Sequence, residues 1–381
     1  MSSEHEEMER ELVALAHEFA EKEIRPVAPQ YDQSEEYPWD VLHKAAEVGL
    51  TSYGLPEEYG GGGIHSLLTS CRIHEELGWG DAAIAEVIDT NSFSTGPILS
   101  MGSEEQKQRW IAPLCASKPP SWAFAITEPG CGSDAAALAT HARRVDGGYV
   151  LNGSKIWISN APIADYYTVF ATVAPGTRSK GITCFVVERD DPGFTMGKPL
   201  PKMGQRAFPA AELFFDDCFI PEDRRIGAEG QGFYGVMQWF EFVRTELAAT
   251  SVGIGRAALE VAVEYAKERK AFGKVISEFE AVSFRLVDAK LRLDQARMMY
   301  EHAARLADAG QTYTVEAAAA KLTGSEAAVF ATHAAMQTLA SYGYSREYPV
   351  EQWLRDAALE EIQDGTSDIQ RLVIARSLFR S

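Results

Sequence analysis

The run Glu361-Ile-Gln-Asp-Gly-Thr-Ser-Asp-Ile-Gln-Arg371 brings a carboxylate, a pliable glycine and a helix start together. Ser367 and Gln370, three residues apart, have capping-box spacing, so a helix is predicted from Ser367 through Leu372 to Phe379. Its first turn would present free N–H groups and a positive dipole end, a seat for a phosphate. Asp364 stands just before that seat, where it could act as a general base against a phosphorylated ligand. Asp364-Gly365 can equally be a plain turn before a well-capped helix. A second candidate is Phe124-Ala-Ile-Thr-Glu-Pro-Gly-Cys-Gly-Ser133, a glycine-rich loop with hydroxyls at Thr127 and Ser133. Its backbone N–H groups could approach a planar or phosphorylated ligand. Trp157-Ile-Ser159 adds an aromatic plane and a hydroxyl.

With 381 residues, 46% of them hydrophobic, the chain can bury a large core divided among two or three domains. A net charge of −19 argues against a nucleic-acid surface, which needs clustered Lys and Arg. The densest basic run, Lys267 to Lys274, is short and contains an acid; it suits a solvated helix end or a local anion site. The five cysteines, Cys71, Cys115, Cys131, Cys184 and Cys218, form no pair with metal-ligand spacing, and reduced thiols in the cytoplasm account for them. His74-Glu75-Glu76 begins a zinc-protease pattern, but the second histidine is missing, so no metal is expected. An acidic N-terminus and the lack of a long apolar run predict neither secretion nor a membrane span.

The expected architecture is α+β and multidomain. Apolar spacing predicts helices from Met8 to Ile24, Val41 to Val48, Leu67 to Leu77 and Glu104 to Leu114, making residues 1–120 an N-terminal helical domain. Arg144 to Ser159 alternates β-prone runs with Asp-Gly and Asn-Gly turns and reads as consecutive hairpins. With strands at Tyr166–Val173, Gly181–Glu188 and Ala211–Phe215, it defines a middle antiparallel β domain, 121–228. Gly230 to Gly235 fits a dinucleotide-binding glycine pattern but lacks a surrounding βαβ unit, so those glycines are expected to carry the chain into the next helix. Stripes beginning at Leu247, Val282 and Ala318 predict three long helices; with the last, capped helix they make 229–381 a four-helix bundle.

The order and spacing of these pieces resemble the acyl-CoA dehydrogenase family over nearly the whole chain. The resemblance rests on Thr127-Glu-Pro-Gly-Cys-Gly-Ser-Asp134, Trp157-Ile-Ser159, Lys202-Met-Gly-Gln-Arg206, Arg269-x-x-Phe-Gly-Lys274, Gln337, Gly343-Tyr344, Arg355-Asp356 and Gly365-Thr-Ser-x-Ile-Gln370. It implies FAD, held by Phe124, Ile126, Thr127, Gly132, Ser133, Trp157, Ile158 and Ser159 of one subunit. Arg269, Phe272 and Gln337 would serve the FAD of a neighbour in a homotetramer or a related dimer, and Ser341, Thr366 and Asp368 would complete the cofactor contacts. The implied reaction in fatty acid metabolism is dehydrogenation of an acyl-CoA to a trans-2-enoyl-CoA, with electrons passing to an electron-transferring flavoprotein. Asp364 would take the α-proton, while its main-chain N–H and a flavin ribityl hydroxyl would bond the thioester oxygen. Ser133, Glu241, Arg244 and Gly365 match the family's substrate contacts.

The sequence also departs from the family pattern. The usual Tyr-Glu before Gly-Thr is Gln363-Asp364 here, and the alternative position for the base, just before Arg244, is Val243. The carboxylate is thus one methylene shorter. Glu280 stands where Gln is usual, Phe208 replaces a small hydroxyl residue, and Gln337-Thr-Leu-Ala-Ser341 lacks a glycine pair. These departures keep a modified chemistry open, such as β-elimination with loss of sulfinate or an oxygen-using reaction, as well as a thioester on an acyl-carrier protein. Glu86 and Asp89 precede Asn91-Ser-Phe93, a segment that often lines the acyl pocket in the family; as surface acids they would need no function.

Overall fold

The computed structural model describes residues 3–379. The chain begins with helices α1 (Ser3–Phe19), α2 (Ala28–Ser34), α3 (Trp39–Glu47), α4 (Leu67–Gly80), α5 (Ala82–Met101) and α6 (Glu104–Trp110). Four of these answer the predicted spacing, whereas the short α2 and the long α5 do not; the failure at α5 has a clear cause. That helix is buried on almost every side, so it has no apolar stripe against a polar face, and Gly96-Pro97, a breaker pair in sequence, lies within it without ending it. Asp81 caps it, its carboxylate accepting the Ile84 N–H at 2.9 Å.

Eight strands follow in one sheet: β1 (Trp122–Ala125), β2 (His141–Val145), β3 (Gly148–Ser159), β4 (Tyr166–Thr172), β5 (Ile182–Glu188), β6 (Phe194–Met196), β7 (Ala210–Pro221) and β8 (Arg225–Ile226). The order is β6-β7-β3-β2-β4-β5-β8, with β1 added on β4. The sheet is mainly antiparallel, as expected, but mixed, since β1 runs parallel to β4 and so does β2 at His141–Thr172. Asp146-Gly147 makes the predicted turn, whereas Asn152-Gly153 does not. There β3 continues with a register shift against β7, and Asn152 exchanges two hydrogen bonds with Asp217. Glycine is required at 153 because a Cβ would lie 2.6 Å from the Thr140 hydroxyl.

The remainder is α7 (Gly232–Glu268), a hairpin of β9 (Lys270–Ala271) and β10 (Lys274–Val275), then α8 (Glu280–Asp308), α9 (Thr314–Leu339), α10 (Val350–Glu360) and α11 (Ser367–Leu378). Gly230 to Gly235 leads into α7, and no βαβ unit surrounds it. The α10 helix was not foreseen because its buried face carries Gln352, Asp356 and Glu360, which break the apolar pattern. The bundle is also not separate from the N-terminal helices. Gly78 of α4 and Gly253 of α7 let the two backbones touch: a Cβ on Gly253 would lie 2.2 Å from the Glu75 carbonyl oxygen, and one on Gly78 would lie 2.6 Å from that of Thr250. One apolar core therefore runs from Ala16 through Ile84 and Val252 to Ala357.

Candidate functional site

Asp364 and Gly365 both adopt left-handed backbone, at φ 48° and 99°, in the loop between α10 and α11. Such a conformation at a non-glycine residue persists only where its surroundings enforce it. Three side chains do so through main-chain oxygens. Lys321 Nζ and Gln370 Nε2 donate to the Gly365 carbonyl at 2.9 and 2.8 Å, and Arg244 Nε reaches the Asp364 carbonyl at 3.4 Å. The Asp364 N–H donates to no acceptor among the described residues and is free for a ligand. The helix start differs from expectation by one residue. Thr366, not Ser367, is the cap, accepting the Ile369 N–H, because Gly365 turns the chain just ahead of it. The Ser367 hydroxyl and Gln370 Oε1 are left buried without partners. Asp368 is exposed and pairs with Arg371.

Burial raises the pKa of Asp364, with the Lys321 and Arg244 cations partly offsetting it. Behind it, Glu360 is fully buried and accepts from Gln205, Gln363 and Ser251; burial lifts it to about 7 despite those donors and Lys321. Arg244 lies with its guanidinium carbon 5.8 Å from the Phe240 ring centre. Glu241, one turn earlier, is engaged elsewhere, accepting the Thr314 hydroxyl at 2.6 Å.

The glycine-rich loop is fixed from behind. Glu128 and Lys155 form a buried ion pair at 2.7 Å, Lys155 also donates to the Ile126 carbonyl, and Glu128 accepts the N–H groups of Ala139 and Thr140. Burial pushes Glu128 up, but Lys155 and those donors hold it below the usual carboxylate range. Between Lys155 and Ile158 the β3–β7 register shifts again, and Trp157 swings out with φ 60° and 58% exposure. Ser159 is half-buried, whereas the Ile158 side chain is buried in the sheet's own core, so only its main chain is left to meet a ligand. Phe124 and Ile126 are also nearly enclosed, Phe124 against Phe93, Phe170 and Phe240.

Three family models match in sequence order: the acyl-CoA dehydrogenase N-terminal domain at residues 6–118, the middle domain at 123–218 and the C-terminal domain at 230–379. The chain belongs to the acyl-CoA dehydrogenase family. A short-chain specific acyl-CoA dehydrogenase of Bos taurus mitochondria is 43% identical over 365 residues, 96% of this chain and 88% of the relative. Butyryl-CoA dehydrogenase from Megasphaera elsdenii superposes with TM-score 0.94 at 36% identity, covering 100% of this chain and 99% of that one. A chain in the structure described as the electron transferring flavoprotein of Acidaminococcus fermentans has TM-score 0.94 and 37% identity, covering 100% and 99%.

Several features of the structure fit the FAD of an acyl-CoA dehydrogenase. A Cβ on Gly130 or Gly132 would meet nothing within 4 Å, so open space lies before the loop. Ser133 is exposed beside it and Thr127 is half-buried. Phe272, at the tip of the β9–β10 hairpin, is 96% exposed, and Arg269, Gln337 and Ser341 are exposed too. Tyr265 on the last turn of α7 contacts Tyr342, which places that hairpin and the end of α9 at the same end of the bundle. Sequence reasoning did not find Lys321 as an anchor of the 364–365 turn. Its signal was a lone lysine within the alanine-rich run of α9.

Proposed function

We propose that this acyl-CoA dehydrogenase uses Asp364 to remove the α-proton of an acyl thioester, giving the trans-2-enoyl product, and passes the electrons to an electron-transferring flavoprotein. The observation that carries the assignment is the Asp364 turn, which places a carboxylate and a free main-chain N–H together between Arg244 and Lys321. Bound FAD supplies the acceptor for the hydride that leaves the β-carbon. The protein's own part is to hold the thioester oxygen at the Asp364 N–H, so that negative charge developing there meets a fixed donor, and to take the proton at the Asp364 carboxylate. Arg244 and Lys321 fix the loop through its carbonyls, which leaves the shorter side chain free to turn toward the substrate. Ser133 and Gly365 are assigned to substrate contacts, as is Glu241 with the carboxylate oxygen that Thr314 leaves over. The glycine-rich loop, Trp157 and the caps around Thr366 are assigned to FAD, whose identity in this fold is supported by a solved relative described as an FAD complex, at TM-score 0.94 and 32% identity. The segments 1–120, 121–228 and 229–381 serve as the three domains, and the five free thiols suit the cytoplasm. Among the described residues, no helix is long and apolar enough to cross a membrane. Anaerobic addition of acyl-CoAs should bleach the flavin; no bleaching by any thioester would refute the reading.

A base must be unprotonated to act, and burial raises the Asp364 pKa, so kcat/KM should fall on acidification while the pH is still above the ordinary aspartate range. In Lys321→Met one of the two offsetting cations is gone, and the acidic limb should move to higher pH. An unmoved limb would show that Asp364 is not the titrating group.

A homotetramer is supported by an apolar stripe that nothing in the protomer covers. Phe284, Val287, Leu291 and Met298 lie on one face of α8 at 52–69% exposure, and Leu378 and Phe379 end the described chain at 72% and 81%. The double variant Phe284→Glu, Leu291→Glu should sediment as a smaller species. Unchanged sedimentation would place the interface elsewhere.

A further inference from the structure

The close contact of α4 with α7 at Gly78 and Gly253 forces polar side chains together on the flank of the proposed active site. His74 Nε2 lies 3.6 Å from an oxygen of Asp89 and 3.6 Å from one of Glu246, and ligand atoms of all three residues fall within 4.8 Å of one another. At 3.6 Å these are ion contacts without a hydrogen bond. Glu75, one residue along α4, is by contrast fully matched by Arg256, Arg297 and Tyr300. Among the described residues no arginine or lysine pairs with Glu246, whose remaining partner is the Ser70 hydroxyl, itself bonded to Tyr53.

Glu86 connects this cluster to the base. It sits three residues before Asp89 on the same face of α5 and lies within electrostatic range of Asp89, His74, Glu360 and Asp364. These are not surface acids. Glu86 and Asp364 lie deep in the fold yet keep some accessible surface. The Glu86 carboxylate makes no hydrogen bond or ion pair with any described residue. His74 is the cation beside Asp89 and Glu246; Lys202, within electrostatic range of Glu86, spends its ammonium hydrogen bonds on the Gln205 and Phe208 carbonyls, and Arg244 and Lys321 are committed to the 364–365 turn. An alkyl chain laid against these acids would leave the Glu86 and Asp89 carboxylates without a donor.

We propose that the acyl pocket ends in an anionic subsite, formed by Glu86, Asp89 and Glu246 around His74, that takes an acyl chain carrying a guanidinium or ammonium terminus. The inference rests on the proposed acyl-thioester dehydrogenation and names its substrate class. A cationic terminus donates hydrogen bonds to Glu86 and Asp89, which accept none from the described residues, and discharges the mutual repulsion of the acids. In the test, 4-guanidinobutyryl-CoA is compared with its uncharged isostere 6-methylheptanoyl-CoA by anaerobic flavin reduction, and nonreactive thioether analogues of both are titrated by calorimetry. The cationic substrate is expected to lead by about 10²-fold in kcat/KM, since a site built on hydrogen bonds rejects an analogue that cannot make them. The Asp89→Asn, Glu246→Gln double variant, which keeps volume and removes charge, should lose that preference in rate and in thioether binding while retaining its flavin. Preference for the isostere, an unchanged preference in the double variant, or binding that requires added Zn²⁺ or Mg²⁺ would overturn the subsite. Failure of every thioester to bleach the flavin would instead refute the dehydrogenase reading, and thioether binding would still report on the subsite.

Discussion

Asp364→Asn should lower the rate of flavin reduction by an acyl-CoA about 10²–10⁴-fold, the usual contribution of a positioned general base. The protein should remain folded and yellow, for two reasons drawn from the turn itself. Asparagine tolerates left-handed backbone better than most residues, so φ 48° at this position adds little strain. The loop is also secured through the carbonyls of 364 and 365, by Arg244, Lys321 and Gln370, and none of these bonds uses the carboxylate. The measurement is stopped-flow bleaching under anaerobic conditions, paired with the flavin absorbance of the resting protein. A variant within tenfold of the parent would show that another group takes the proton. Displacing a reacting group by about 1 Å can itself cost ~10²-fold, so a one-methylene deficit makes the fixed turn part of the chemistry.

The second large effect is expected far from the base. Lys155→Met leaves Glu128 buried with its cation removed, a defect that typically costs about 3–5 kcal/mol. Glu128 also holds the N–H groups of Ala139 and Thr140, and Lys155 holds the Ile126 carbonyl, so the damage should spread through the glycine-rich loop to Trp157. Purified Lys155→Met should melt well below the parent and carry much less flavin. Adding Glu128→Gln should recover part of the melting temperature, because removing both charges costs less than removing one. A single variant as stable and as yellow as the parent would deny the pair its role behind the loop.

What the sequence made legible follows the physics of each element. Helices with one wet and one dry face, such as α3 and α8, announce themselves by spacing. The α5 helix does not, since apolar and small residues surround it, and with it the setting of Glu86 and Asp89 went unread. Asn152-Gly153 has the composition of a hairpin turn, but Asn152 bonds Asp217 across the sheet and Gly153 only relieves a clash with Thr140. At the last helix the Ser367–Gln370 spacing pointed to Ser367, but the left-handed turn at Gly365 brings Thr366 into the cap position. The chemistry-bearing stretches were visible because each is continuous in sequence. His74, Asp89 and Glu246 come from three helices, and no spacing rule joins them.

The glycine-to-backbone contact between α4 and α7 also bears on how the chain is made. During synthesis, residue 78 leaves the ribosome long before residue 253, and until both are free the inner faces of the first helices have no partner. The early part of the polypeptide must therefore wait, with greasy surface uncovered, for a segment from the other end. A protein wired in this way acquires its N-terminal structure late and is a natural client for chaperones during elongation.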